Sequence, residues 1–296
     1  MNKPDMKNES PAIRNFSRRQ ALGLIGATAA TSLVGSAAEQ PALSEQGGAP
    51  VQNAKSRLVS FDAKPNPLAI DTAKTAVIVV DMQNDFGAKG GMMDLAGLDI
   101  SGIRKAIDPI AKVLASARQA GIKVIYLKMA FLPGLSDMGA ADSPNRVRHL
   151  ARGVGKTVHA PDGRESRILI RDTWNTDILD ELKPQPGDVV MYKHRFSGFY
   201  QTDLDTTLKK LGSKHLIITG CTTSVCVEST VRDAMFRDYS CVVLQDCVNQ
   251  PAVGNSLVGS NHDASLVVVE AVFGWVSNSD QFVKALQVQP IAAAQA

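Results

Sequence analysis

The stretch Thr75-Ala-Val-Ile-Val-Val-Asp81 decides the fold of this chain. An uninterrupted run of uncharged, mostly β-branched residues ends here at a carboxylate. Such runs are typical of strands that are buried on both faces of a parallel sheet. The stretch therefore predicts a central parallel strand with Asp81 at its carboxyl end.

Strand-like and helix-like segments alternate from this strand onward. Further strands are predicted over residues 122–127, 188–192, 215–219, 241–244 and 265–269, and helices over residues 101–120, 176–182, 204–211, 225–239 and 279–286. The alternation predicts an α/β fold, with one three-layer α/β/α domain built on a six-stranded, mostly parallel sheet. This domain is predicted to span residues 73–290. Its segment 131–171 lacks a clear period and is long enough to carry substrate contacts or a lid.

The amino-terminal segment has the pattern of an export signal. Ser17-Arg18-Arg19 precedes an uncharged stretch at residues 21–34, and the small residues Ser36-Ala37-Ala38 follow. This order of regions is typical of a twin-arginine signal peptide, and the uncharged stretch is short for a retained membrane anchor. We predict a signal at residues 1–38, a linker at residues 39–72, and a protein that is exported to the periplasm or secreted.

Composition and charge restrict the classes of partner that the domain can bind. Apolar residues make up 44% and charged residues 21% of the chain, which is an ordinary globular composition. Residues 1–38 hold five basic and two acidic residues and so account for the whole net charge of +3, because the remaining chain holds 27 of each sign. A neutral domain offers no electrostatic attraction to nucleic acid.

Four cysteines lie in the carboxyl-terminal third: Cys221, Cys226, Cys241 and Cys247. An even number in an exported protein invites a disulfide interpretation. However, two of them lie in strand-like runs, and a chain of this length does not depend on disulfides for its stability. None has the C-x-x-C spacing with matching histidines that a zinc site requires. We therefore expect neither a disulfide nor a zinc site.

Three ionisable side chains follow predicted strands. Asp81, Lys193 and Cys226 each come at or shortly after a carboxyl end, where open parallel sheets bind their ligands. Cys226 is predicted near a helix N-terminus, where the helix dipole and a neighbouring Lys193 would lower the pKa of the thiol. Each residue alone has an ordinary structural role, as a packing cysteine, a turn-forming aspartate or a solvated lysine. Their joint placement predicts an acid, a base and a nucleophile for acyl transfer.

Four motifs carry a resemblance to a known family. They are Val79-Val-Asp81-Met-Gln83-Asn-Asp85-Phe86, then Gly90-Gly91, then Lys193, and finally Gly220-x-x-Thr223-x-x-Cys226-Val227. In this order they are similar to the motifs of the isochorismatase-like cysteine hydrolases, from about residue 61 to residue 286. Within that superfamily the chain most resembles the ureidoacrylate amidohydrolases, in residues 90–97, 188–199, 225–233 and 273–277.

The resemblance implies a Rossmann-like fold and a catalytic triad of Asp81, Lys193 and Cys226. It also implies a non-proline cis peptide bond between Cys221 and Thr222, which would turn the Thr222 N–H toward the Cys226 N–H to form an oxyanion hole. It implies a small-molecule substrate and no cofactor, and because relatives commonly form oligomers, we expect a homo-oligomer.

This sequence departs from its relatives at the expected pocket. Nicotinamidase-type relatives carry an Asp-x-His metal site after the second strand, whereas residues 126–131 here contain no metal ligand, so we expect no metal. The ureidoacrylate enzymes place an amide, a tryptophan and a tyrosine near the positions of Met129, Phe131 and Phe196. The loss of these polar groups favours a less polar substrate.

The candidate substrate-binding residues follow the triad along the chain. Arg195 could steer a carboxylate, although a structural arginine that binds loop carbonyls is equally compatible with the sequence. Gln83 and Asn84 could orient Asp81 or a substrate amide. The complete set is Gln83, Asn84, Phe86, Met129, Phe131, Arg195, Phe196 and Phe199.

The reaction expected from these residues is hydrolysis of a C–N bond in a small ureido, carbamoyl or carboxamide compound through a thioester. A ureidoacrylate-type substrate is favoured, and biuret, an N-carbamoyl amino acid, maleamate or a nicotinamide-like amide are alternatives. Vinyl-ether hydrolysis is disfavoured because it needs no cysteine, and Cys226 is present. A non-catalytic secreted binding module on the same fold stays open, because fold does not fix function.

Overall fold

The computed structural model describes residues 55–251 and 260–288 of the chain. The predicted signal and residues 39–54 of the predicted linker lie outside the described residues. The strands are β1 Leu58–Phe61, β2 Leu68–Asp71, β3 Thr75–Val80, β4 Lys123–Met129, β5 Thr157–His159, β6 Glu165–Arg167, β7 Val189–Lys193, β8 His215–Cys221, β9 Ser240–Asn249 and β10 Trp275–Ser277. The helices are α1 Asn84–Gly87, α2 Met92–Leu95, α3 Ser101–Lys105, α4 Ile107–Gln119, α5 Pro144–Ala151, α6 Leu204–Lys210, α7 Glu228–Met235, α8 Asn261–Val268 and α9 Ser279–Gln287.

A six-stranded sheet in the order β10-β9-β8-β3-β4-β7 forms the centre of the fold. Every neighbouring pair in it is parallel, which confirms the predicted architecture. All six residues of β3 are buried, as the continuous run predicts. Because β3 lies between β8 and β4, its carboxyl end opens at the middle of one sheet edge, and this position fixes where a site forms.

The two faces of the sheet carry separate apolar cores. Val77 and Val79 face a core completed by α3, α4 and α9, whereas Ile78 and Val80 face a core completed by α6 and α7. Alternate residues of one strand point to opposite faces, so a continuous apolar run supplies both cores. This arrangement is the predicted three-layer α/β/α sandwich.

Part of the segment predicted as linker is folded. Strands β1 and β2 form an antiparallel hairpin, and the backbone of Lys64 between them exchanges hydrogen bonds of 2.8 and 3.0 Å with Val276 of β10. Phe61 packs edge-on against Phe282 of α9 with ring centroids 5.9 Å apart. The prediction of a linker up to residue 72 is therefore wrong for residues 58–71, because their apolar side chains complete the core on the α9 face.

Two other predicted elements are wrong. Residues 265–269, predicted as the sixth strand, belong to α8 and the π-helical turn after it, and the sixth strand is the three-residue β10. The Ser260 side chain caps α8 by accepting from Asp263 N, and this start signal outweighs the β-branched run of residues 267–269. Residues 176–182 do not form a helix: 3₁₀ turns at Trp174–Thr176 and Asp180–Leu182 flank an extended stretch in which Leu179 N is bonded to Met82 O.

The remaining helix predictions are close but differ at breaks. The helix predicted over residues 101–120 is divided at Ala106 into α3 and α4, because Pro109 cannot donate a hydrogen bond to the preceding turn. The helix predicted over residues 225–239 starts as a π-helical turn at Thr223–Val227 and ends as α7 at Met235.

The segment 131–171 carries α5 and the β5–β6 hairpin between β4 and β7. Its Leu169 N donates to the Asp85 carboxylate at 2.7 Å, and this carboxylate also accepts from Met92 N at 2.8 Å and from Asn175 Nδ2 at 2.5 Å, both outside the segment. Within the part of the chain described, no helix is both long and apolar enough to span a membrane.

Candidate active site

The centre of the site is a fully buried ion pair. Asp81 follows β3 in a left-handed conformation, with φ of 51°, and its N–H donates to Leu127 O at 2.9 Å. Lys193, the last residue of β7, donates from Nζ to Asp81 Oδ2 at 2.7 Å, and both side chains are 0% exposed. The strand ends of β3 and β7 thus bring together two residues that are far apart in the sequence.

Cys226 completes the centre from the other side of β3. It lies in the π-helical turn between β8 and α7 and is 4% exposed. Its thiol interacts with both the Asp81 carboxylate and the Lys193 ammonium. Oδ1 of Asp81 is buried and accepts no hydrogen bond from the described residues with normal geometry. A buried acceptor of this kind needs a donor, and the Cys226 thiol is the group in position to turn its hydrogen toward it.

The pKa of the Cys226 thiol differs from the one expected from the sequence. Burial raises the pKa of the Cys226 thiol to about 12, although Lys193 acts in the opposite direction. The predicted lowering of this pKa by the helix and by Lys193 is wrong for the resting site, because desolvation of the thiolate outweighs both. Burial also raises the pKa of Asp81, with Lys193 opposing the shift. Burial alone would lower the pKa of Lys193, but Asp81 and Cys226 raise it above its usual value.

The peptide bond between Cys221 and Thr222 is cis, as the resemblance implies. The Thr222 carbonyl accepts from Val225 N and Val227 N at 3.1 and 3.2 Å, so the backbone of the turn is folded around Cys226. The oxyanion hole formed by the N–H groups of Thr222 and Cys226 stays a prediction, since no bound oxyanion tests it.

Two polar residues predicted to bind substrate, Gln83 and Asn84, make hydrogen bonds to the backbone. Gln83 is fully buried, and its amide donates to Met129 O and Thr176 O at 3.0 and 3.2 Å and accepts from Met129 N at 2.7 Å. Asn84 donates to Trp174 O at 2.8 Å and lines a cavity of about 630 Å³ that contains no triad residue. Gln83 therefore holds the end of β4 beside β3, and a role of Gln83 or Asn84 in substrate binding stays a prediction.

Two aromatic candidates lie in the cores. Phe86 packs in the core on the α4 face. Phe199 stacks on Tyr239 at 6.0 Å and lies under the Arg237 guanidinium at 4.9 Å. Tyr239 and Arg237 follow the carboxyl end of α7, whereas Cys226 precedes its amino end. The assignment of Phe86 and Phe199 to substrate binding is therefore not supported by their positions.

Two of the other four candidates, Met129 and Arg195, contact Lys193 directly. Met129 places Sδ 3.7 Å from Lys193 Nζ, and the Arg195 carbonyl accepts from the same Nζ at 3.3 Å. The Arg195 guanidinium donates to Asp137 O at 2.9 Å and to His194 O at 2.6 Å, which is the structural alternative that the sequence left open. Phe131 and Phe196 lie on either side of a histidine that the sequence did not indicate.

That histidine is His149 of α5. Its ring centroid lies 5.1 Å from that of Phe131 and 5.5 Å from that of Phe196, and the residue is 4% exposed. It lies in the segment without periodicity, far in sequence from every strand end, so no pattern pointed to it. Among the described residues, no group of three or more His, Cys, Asp or Glu side chains is arranged to hold a metal ion.

Fold and site together define an α/β protein with an Asp–Lys–Cys centre at the carboxyl edge of a parallel sheet. Residues 75–281 match the Isochorismatase domain family, and the chain belongs to that family. It is 42% identical over 224 residues to the ureidoacrylate amidohydrolase RutB of Caulobacter segnis, covering 76% of this chain and 90% of the relative. The same enzyme of Methylobacterium radiotolerans is 42% identical over 238 residues, covering 80% and 89%.

Solved structures of two hydrolases are similar to this chain. A cysteine hydrolase from Pseudomonas syringae pv. phaseolicola is similar with a TM-score of 0.63 and 30% identity, over 73% of this chain and 94% of that one. The N-carbamoylsarcosine amidase of Thermoplasma acidophilum is similar with a TM-score of 0.50 and 27% identity, over 70% and 97%.

Proposed function

We propose that this protein is a cysteine amidohydrolase that cleaves a C–N bond of a small ureido or carbamoyl compound through a thioester on Cys226. The observation that carries the proposal is the buried Asp81–Lys193 pair beside the Cys226 thiol, in which one carboxylate oxygen accepts no other hydrogen bond from the described residues. A base without its proton next to a nucleophile that still holds one is the arrangement that acyl transfer requires.

The first half-reaction begins with the thiol protonated, since its pKa is about 12. Asp81 takes the thiol proton, and its raised pKa makes it a stronger base than an exposed carboxylate. The Lys193 ammonium stabilises the thiolate as it forms. The sulfur then attacks the carbonyl carbon, the oxyanion is stabilised by the backbone N–H groups of Thr222 and Cys226, and Asp81 returns the proton to the departing nitrogen.

The second half-reaction hydrolyses the thioester. Asp81, again a carboxylate, removes a proton from water, and the water oxygen attacks the thioester carbonyl. The C–S bond breaks, and the sulfur recovers the proton that Asp81 had taken. The net change is the addition of one water across one C–N bond, so neither an oxidant nor a cofactor enters the balance.

A ureidoacrylate-type compound is the leading substrate. Support comes from the relatives named ureidoacrylate amidohydrolase, which align over about nine-tenths of their own length. Met129, Phe131 and Phe196 stand where the ureidoacrylate enzymes are expected to carry polar side chains, which favours a substrate with few polar atoms beyond its ureido group.

An N-carbamoyl amino acid is the second candidate. Support comes from the fold similarity to N-carbamoylsarcosine amidase, which covers nearly the whole of that enzyme. The two candidates share the carbamoyl group, so they differ only in what the pocket accepts on the far side of the scissile bond.

The test is ammonia release by the purified protein from ureidoacrylate, ureidopropionate, biuret, N-carbamoyl amino acids, maleamate and nicotinamide. The matched pair of variants is Cys226→Ala and Cys241→Ala, because both thiols are buried but only Cys226 contacts Asp81 and Lys193. We expect turnover of one ureido compound that Cys226→Ala abolishes and Cys241→Ala retains.

Acid-quenched mass spectrometry of the working enzyme should find the acyl group on the peptide that contains Cys226. Turnover that survives Cys226→Ala would disprove the thioester mechanism. Silence across the panel, together with a Cys226 no more reactive than a free thiol, would favour the non-catalytic binding module.

We also propose export through the twin-arginine pathway and assembly as a homo-oligomer. The arginine pair at residues 18–19 and the uncharged stretch after it support export. Exposed apolar side chains on the face of α7 and α8, such as Phe236 at 67% and Val267 at 65%, support a subunit contact. A reporter fused to residues 1–38, with and without Arg18→Lys/Arg19→Lys, and light scattering of the purified protein test the two proposals.

A further inference from the structure

His149 is held in a defined orientation above the site. It lies on α5, and its imidazole is nearly perpendicular to Phe131, at 72°, and tilted by 36° to Phe196. Phe131 belongs to the core on the α4 face and Phe196 packs against the core on the α7 face. The imidazole therefore bridges the two cores above the edge where the triad lies.

The hydrogen bonding of the ring identifies its free atom. Nδ1 lies 2.7 Å from the Asn145 carbonyl oxygen. A carbonyl only accepts, so Nδ1 carries the hydrogen, and in the neutral ring Nε2 is then a bare acceptor. Nε2 has no hydrogen-bond partner among the described residues, and this atom is not fully buried.

Burial favours the neutral ring. It lowers the pKa of His149 and is the largest effect; the Asn145 bond opposes it, and the cations Arg152, Lys193 and Arg195 lower the pKa by smaller amounts. Phe131 follows Met129, whose Sδ lies 3.7 Å from Lys193 Nζ, so the ring lies near the ends of β4 and β7 that carry Lys193. A neutral imidazole with an unused lone pair thus lies between Phe131 and Phe196, near the paired strand ends that carry Met129 and Lys193.

We propose that His149 is a substrate-binding residue whose Nε2 accepts a hydrogen bond from an N–H of the ureido or carbamoyl group. This inference depends on the proposed function and adds a substrate requirement to it. The preferred compounds carry an N–H at the carbamoyl end, and the aromatic rings on either side of His149 receive their flat, apolar part. Esters and amides without that N–H leave the lone pair without a donor.

The kinetic test compares two substrates and three proteins. The substrates are ureidoacrylate and its analogue with two methyl groups on the terminal ureido nitrogen. The proteins are the wild type, His149→Phe, which keeps an aromatic ring between Phe131 and Phe196, and His159→Phe, an exposed histidine of the same segment. We expect His149→Phe to raise KM for ureidoacrylate about tenfold, the effect of one lost hydrogen bond, with a smaller change in kcat.

The dimethylated analogue distinguishes binding from structural damage. It has no terminal N–H, so His149→Phe should alter its kcat/KM less than twofold, and the preference of the wild type for ureidoacrylate should fall about tenfold. His159→Phe should leave both values unchanged. Equal losses for the two substrates, or no loss for ureidoacrylate, would overturn the assignment.

A second measurement does not depend on turnover. Nitrogen-15 NMR of the histidine-labelled Cys226→Ala protein at pH 7 should show His149 as the neutral Nδ1–H tautomer, and ureidoacrylate should shift its Nε2 resonance. An imidazolium or an Nε2–H tautomer would refute the inference even if the enzyme is active. Absence of cysteine-dependent turnover with the expected tautomer and shift would instead count against the proposed reaction alone.

Discussion

Two buried aspartates, Asp81 and Asp85, lie four residues apart and have opposite surroundings. Asp81 is paired with a cation, Lys193, and keeps one oxygen without a hydrogen bond from the described residues. Asp85 has no cation beside it within the described chain, and its two oxygens accept three N–H donors. Burial raises the pKa of both carboxyl groups, to about 6 for Asp85.

The comparison shows that partners, rather than burial, separate a reactive carboxylate from a structural one. At Asp85 both oxygens already accept from fixed N–H donors, one of which, Leu169 N, belongs to the segment 131–171. At Asp81 the free oxygen can take a proton without losing a partner, while Lys193 keeps the side chain in place. The carboxylate that we propose as the base is thus the one whose hydrogen bonding within the described residues is incomplete.

The largest expected effect is on activity, at Asp81. Asp81→Asn should lower kcat/KM by about 10²–10⁴-fold, because the amide cannot take the thiol proton. Steady-state kinetics on the ureido compound that the wild type hydrolyses measures the loss. The exposed Asp99→Asn is the control and should keep full activity. An Asp81→Asn protein that folds and stays within tenfold of the wild type would contradict its role as the base.

The next effect is on stability, at Asp85. Asp85→Ala should lower the free energy of unfolding by about 3 kcal/mol or more, because three buried donors lose their acceptor at about 1–3 kcal/mol each. Urea denaturation of the variant and of Asp99→Ala measures the difference. A change below about 1 kcal/mol would mean that water replaces the carboxylate and that Asp85 does not hold the segment.

A pH series sharpens the same comparison. The pKa of Asp85 is raised from 3.8 to about 6 in the folded protein, so the folded state holds this proton more tightly than the unfolded state. The stability that the folded protein gains by holding this proton is fully present below about pH 4. It is lost as the pH rises through about 6, a change of about 3 kcal/mol in the free energy of unfolding.

Asp85→Asn cannot titrate, so its unfolding free energy relative to the wild type isolates this change. We expect the free energy of unfolding of the wild type to fall relative to that of the variant between about pH 4 and 6. A difference that does not vary with pH would show that the carboxyl group has an ordinary pKa.

The smallest expected effect is at an exposed carboxylate. Glu181 pairs with Arg104 at 2.5 Å, and the side chains are 44% and 43% exposed. Glu181→Gln should change the unfolding free energy by about 0–1 kcal/mol, and added salt should reduce the difference. A larger, salt-independent loss would show that Glu181 has a packing role beyond the ion pair.

The fold and the triad were predictable because each depends on a local signal. The run that ends at Asp81, and the equivalent strand ends before Lys193 and Cys226, fix the sheet and bring three side chains to one edge. The sixth strand was misplaced because β10 has only three residues, too few to show a period, while the β-branched run nearby is helical.

The pocket was less predictable for a physical reason. Whether Gln83 faces a substrate or the backbone depends on Met129 and Thr176, which pack against it from distant parts of the chain. His149 gains its environment only when α5 folds over Phe131 and Phe196. Long-range packing of this kind leaves no trace in local periodicity, and the thiol pKa was mispredicted for the same reason.

The contact between Lys64 and Val276 has a consequence for how the protein avoids sticking to copies of itself. Strand β10 is an outer strand of the sheet, with backbone groups that could template a strand from another molecule. The hairpin β1–β2 occupies part of that row through its two hydrogen bonds to Val276. The residues just upstream of the family domain thus protect the edge of the sheet. We expect a variant that begins at residue 73 to expose the β10 edge and to aggregate more readily.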